Sequence, residues 1–189
     1  WAEYFANQHF LYHVLLRPFV DLSLLPVSIV LFGSLFVLVF LLLLKKWKIV
    51  WLPFWTALLL FGSTDFLFRI SLVKAVGLSL VLLCLAVWAI TSKKPWLLIP
   101  ISAVFVWVYG GFVFLPAVVF IFVIIEMIFY RTFNWRLCVS LCLGIVLGLV
   151  LHPQFPNIFR HLYDQIFQAG LGSGGSVGVG NEWYPYTLD

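Results

Sequence analysis

Leu22–Leu44 reads LSLLPVSIVLFGSLFVLVFLLLL, a run with no charged residue, and it is closed by Lys45-Lys46-Trp47-Lys48. Crossing the hydrocarbon core of a bilayer as a helix takes about 20 consecutive apolar residues. A run of this length ending in lysines has the composition of such a span. The rest of the chain resembles it. Of 189 residues, 64% are hydrophobic and 10% charged, and the mean hydropathy is +1.13. An ordinary soluble domain carries about a quarter charged residues, so too few polar side chains exist to cover a water-soluble globule. The fold expected is all-α: a polytopic transmembrane bundle of about six spans with two interfacial amphipathic helices.

Outward from the first span, the second is short and aromatic, about Ile49–Ser63, and a polar connector, Thr64–Lys74, follows it. The third span, about Ala75–Thr91, ends at Ser92-Lys93-Lys94. The fourth, about Pro95–Tyr109, turns at Gly110-Gly111 into the fifth, about Phe112–Tyr130. The sixth, about Leu137–Leu151, lies between Arg136 and His152-Pro153. Three regions result: an interfacial helix in 1–21, a membrane region in 22–151, and an external segment in 152–189.

Residues 1–20 carry His9, His13 and Arg17 at i, i+4, i+8, and Phe5, Tyr12 and Leu16 on another stripe. This is the pattern of a helix lying on the membrane surface, ended by Pro18. A second surface helix is expected over Asn157–Gln168, with Asn157 as N-cap, Arg160 and Asp164 paired, and Ile158, Leu162 and Ile166 apolar. Residues 170–181 are rich in Gly and Ser, the composition of a flexible linker.

Lys and Arg fall unevenly across the alternating turns. Lys45, Lys46, Lys48, Lys93, Lys94, Arg131 and Arg136 share one side; Arg17, Arg69, Lys74 and Arg160 share the other. The richer side is expected to be cytoplasmic, with both ends of the chain extracytoplasmic in a plasma membrane or its equivalent. Glu3, His9, His13, Asp21, Asp65, Arg69, His152, His161, Asp164 and Glu182 then all face outward, so any chemistry is expected there. The chain opens at Trp1 and stops at Asp189, and it is read as an internal piece of a longer protein.

Several motifs carry two readings. Cys84, Cys138 and Cys142 lie within apolar runs, where packing suits them better than a disulfide or zinc. His9 and His13 have the spacing of metal ligands but no third ligand beside them. They are either interfacial histidines or, with Arg17, a grip on an anionic headgroup. Asp65 and Arg69 at i, i+4 are either an ion pair or an arginine held for a phosphate. Glu126 lies close enough to the end of its span to reach the interface. Gly170–Gly175 matches G-x-G-x-x-G, without the strand and helix that a dinucleotide site requires. Glu182, beside Trp183-Tyr-Pro-Tyr186, fits either a sugar site or an aromatic belt. No basic patch interleaved with aromatics points to nucleic acid.

Tyr4–Phe19, Phe66–Leu80, and His152–Phe167 with Asn181–Tyr186 together resemble the membrane core of the GT-C superfamily of glycosyltransferases. The resemblance implies transfer of a sugar from a polyprenyl-phosphate donor to an acceptor on the outer side. It implies Arg69, with His9, His13 and Arg17, for the phosphate, and His152 and Glu182 for the sugar or acceptor. The acidic motif that follows the first transmembrane helix of such enzymes would lie upstream of Trp1, together with the catalytic residues and the ligands of any divalent metal. Two other classes stay open: a transporter or flippase for a lipid or small solute, and a non-catalytic membrane scaffold subunit.

Overall fold

A computed structural model of the chain describes residues 7–163. Among them every regular element is helical. These are α1 (Phe10–Asp21), α2 (Leu25–Lys46), α3 (Leu52–Phe61), α4 (Thr64–Ser71), α5 (Val76–Thr91), α6 (Leu98–Val108), α7 (Phe114–Tyr130), α8 (Trp135–Val150) and α9 (Asn157–Tyr163). A single 3-10 turn, Pro95–Leu97, leads into α6. The all-α expectation holds. Glu3, Phe5, Asp164, Ile166, the glycine-rich stretch, Glu182 and its neighbouring aromatics lie outside the described residues.

The described residues fall into two compact units, residues 8–151 and residue 7 with 152–163. In the larger unit the helices follow the hydrophobic runs closely, with two departures. Pro18 does not end α1, which continues to Asp21; the Leu22 N–H still reaches the Pro18 carbonyl at 3.2 Å. The connector after α3 is itself a helix, α4. Its N-cap Ser63 accepts from the Phe66 N–H at 3.3 Å, and Asp65 in its first turn and Arg69 in its last match the helix dipole.

α2 is long and apolar enough to cross a membrane. α5, α7 and α8, at 16 or 17 residues, rise about 24–26 Å, short of a hydrocarbon core of about 30 Å. α3 and α6 are shorter still. α4 and α5 together form an apolar pair bent by 108° at residues 72–75.

Two parallel helix pairs organise the larger unit. Gly77 on α5 faces Phe32 on α2, and near the far ends Lys46 meets Thr91 at 3.2 Å. Gly144 and Gly148 on α8 face Ile99 and Ala103 on α6. The Trp107 indole Nε1 donates to the Gly148 carbonyl at 2.6 Å. The buried hydroxyls of Ser28, Thr56, Ser79 and Ser102 donate to carbonyls three or four residues back in their own helices. Such bonds satisfy a hydroxyl where no water is present.

The outward faces are apolar too. On α7, Leu115, Val119 and Val123 are buried on one stripe, while Phe120, Ile121, Ile125 and Ile128 are exposed. A helix apolar all round belongs in a membrane or in the core of a larger assembly.

Candidate functional site

The α1 stripe is divided by the fold. Tyr12 and Leu16 are buried as the amphipathic pattern requires, with the Tyr12 ring 5.9 Å from Phe32 on α2. His9 faces inward as well. Its ring stacks on Tyr109 at 5.5 Å and 28°, and its Nδ1 lies 3.2 Å from the Val108 carbonyl oxygen. A carbonyl only accepts, so Nδ1 carries the proton. His13 sits edge-on to His9 at 6.2 Å and is exposed. The Arg17 Nε lies 3.8 Å from Asp21 Oδ2, with both side chains open to solvent. His9 therefore anchors α1 to the end of α6, leaving His13 and Arg17 outward.

Arg69 and Asp65 are both exposed and form no ion pair with each other. Residue 70, immediately after it on α4, lines an open apolar groove of about 420 Å³. Its long wall is one stripe of α2, Val30, Gly33, Ser34, Val37, Leu38 and Leu41, and Leu60 of α3 completes it with Ile70. The α2 stripe runs about 16 Å at the rise of an α-helix. No Cβ occupies the groove at Gly33, around which nothing lies within 4 Å. α1 packs on α2 and α6, and α4 on α2, α3 and α5. The residues expected to share one phosphate therefore sit on separate helices that have α2 as a common neighbour.

His152 belongs to the smaller unit and is buried. The Gln154 N–H donates to its Nδ1 at 3.1 Å, so that nitrogen must keep its lone pair. Burial pushes its pKa below the ordinary 6.5. The Asn7 N–H donates to the Gln154 side-chain oxygen, and Phe155 packs edge-on against Phe159 at 5.8 Å. This arrangement holds the turn that leads into α9.

Other features were not anticipated. Gly144-Ile-Val-Leu-Gly148 is a G-x-x-x-G pattern, legible in the letters and typical of close helix pairs in membranes. Lys46 Nζ donates to the Trp88 carbonyl at 3.1 Å, to Thr91 Oγ1 and to Ser92 Oγ. It also lies 5.2 Å from the Trp88 ring centroid, with Lys94 Nζ at 5.7 Å from the same ring. That cluster joins residues more than forty positions apart, which no local pattern announces. One oxygen of Glu126 is shielded and has no hydrogen-bond donor.

Among the described residues, no three His, Cys, Asp or Glu side chains gather in one place. No family model, curated protein or solved structure matches the chain.

Proposed function

We propose that the chain is part of a polytopic membrane glycosyltransferase of GT-C type, moving a sugar from a polyprenyl-phosphate carrier to an acceptor outside the cytoplasm. The observation that carries this reading is the apolar groove on α2, with Arg69 beside its α4 wall and free of Asp65. A carrier lipid needs an apolar track for its isoprenoid chain and a cation for its phosphate, and these two features supply one of each. A guanidinium offers paired donors to phosphate oxygens, whereas lysine offers a point charge. The apolar outer faces of α2 and α7 support the membrane setting. Acceptor deprotonation calls for a general base, such as a carboxylate.

Donor affinity in the full-length protein tests the assignment. Arg69→Ala is expected to weaken binding of a polyprenyl-phosphate sugar by roughly 1.5–3 kcal/mol, as for a charged hydrogen bond. Arg69→Lys is expected to fall between Ala and parent, and Asp65→Ala to bind like the parent. Parent-like affinity in both arginine variants, with the fold intact, rejects the role.

A second reading, a lipid or solute transporter, draws on the 108° break between α4 and α5. Interrupted helices are a feature of transporter binding sites. Uptake or scrambling by the reconstituted protein without any sugar transfer would favour it.

A further inference from the structure

We infer that the lysine turns closing α2 and α5 form one surface for the anionic headgroups of a phospholipid bilayer. This rests on the membrane setting proposed above and is independent of the sugar-transfer reading.

Lys46 is the link between the turns. Its three donors are directed to the Trp88 carbonyl, Thr91 and Ser92, all at the end of α5. The bonds hold Lys45-Lys46-Trp47-Lys48 beside Ser92-Lys93-Lys94. Lys46 and Lys94 approach the same Trp88 ring, at 5.2 and 5.7 Å. Bringing cations together is unfavourable unless an anion is available to share them. No acidic residue lies in α2, in α5 or in either turn. Among helices ending on this side, the carboxylate is Glu126 of α7, and Arg131 follows it in the same chain end.

Backbone geometry makes a second, independent point. Lys48 and Lys93 both have φ of 56°. Each occupies the residue after a helix cap, where N–H groups return to the helix carbonyls: Lys48 to Lys45 and Ile49 to Leu44, Lys93 to Ile90 and Lys94 to Ala89. Glycine adopts that conformation without strain and is the usual residue there. Lysine at both positions keeps a positive charge at a backbone cost, twice over. Lys45, Lys48, Lys93 and Lys94 are exposed and remain for the ligand, since Lys46 is committed internally. Exposed Trp47 and Trp96 flank them, as indoles do at the level of lipid headgroups. These rings and the apolar α2 surface favour a bilayer over a soluble phosphate.

The test uses the purified full chain with mixed phosphatidylcholine and phosphatidylglycerol, counting retained lipids by native mass spectrometry. Lys48→Gly and Lys93→Gly, combined, remove two charges while easing the backbone, so helix content and melting temperature should hold. The preference for phosphatidylglycerol should fall about fivefold per lysine. Lys48→Arg with Lys93→Arg should keep it, as should Lys74→Gln, which changes net charge elsewhere. High salt should erase the preference of the parent protein. A parent-like preference in the double-glycine variant overturns the inference, as does a preference that survives high salt. Displacement of phosphatidylglycerol by inorganic phosphate would identify a soluble-phosphate site and overturn it too. Failure of the parent to enter a bilayer would instead reject the membrane setting.

Discussion

The carbonyl oxygen of Ile99 lies so close to Gly144 that a methyl group built on this glycine would stand 2.4 Å from it. Ser102 Oγ would be closer still, so α6 and α8 touch backbone to backbone. Gly144→Ala therefore has to force the pair apart, at a net loss of about 1–3 kcal/mol despite the better helix propensity of alanine. Gly33 sits in a helix of the same kind with nothing within 4 Å. Gly33→Ala should stabilise by roughly 0.5–1 kcal/mol. Thermal unfolding in detergent, comparing the two variants, should give shifts of opposite sign.

Lys46 and Lys45 are adjacent, and the fold treats them differently. Lys46 ties α2 to the end of α5. Lys46→Met should cost about 1 kcal/mol, a modest figure because the group is exposed. Lys45→Met should stay within about 0.5 kcal/mol of the parent. The same unfolding assay separates them.

His152 should make the smaller unit sensitive to acid. Its folded pKa is depressed below 6.5, so on unfolding it takes up a proton more readily. The stability it contributes is complete above pH 6.5 and is lost as pH falls through the folded value. Protonation of Nδ1 would also expel the Gln154 N–H. Amide exchange at Gln154 and Phe155 should accelerate on acidification. In His152→Gln that acceleration should be absent.

Topology is checked by labelling single cysteines in intact cells, on a cysteine-free background. Thr132 lies in the turn between α7 and α8, and Ser71 at the end of α4. The lysine and arginine distribution predicts protection at 132 and labelling from outside at 71. The reverse pattern would invert the orientation, and equal labelling at both would remove the alternating-span reading.

The positions of the long apolar helices were written in the sequence, though the end of α1 and the helical state of α4 were not. Hydrophobic runs broken by lysines, prolines and glycine pairs set where α2, α5, α6, α7 and α8 lie, because chain length and side-chain polarity are local quantities. The amphipathic stripe likewise marked Tyr12 and Leu16 as the inward face of α1, and Gly144 and Gly148 were there to be seen as a close-packing motif. Tertiary structure decided which polar groups are committed. It placed His9 against Tyr109 and Val108 rather than beside Arg17, left Arg69 without Asp65, and used Lys46 to join two lysine turns. Those outcomes depend on which helices become neighbours and in what register. Register is set by the summed packing of whole faces, Phe32 on Gly77 and Ile99 on Gly144, and no single stretch of sequence contains both partners.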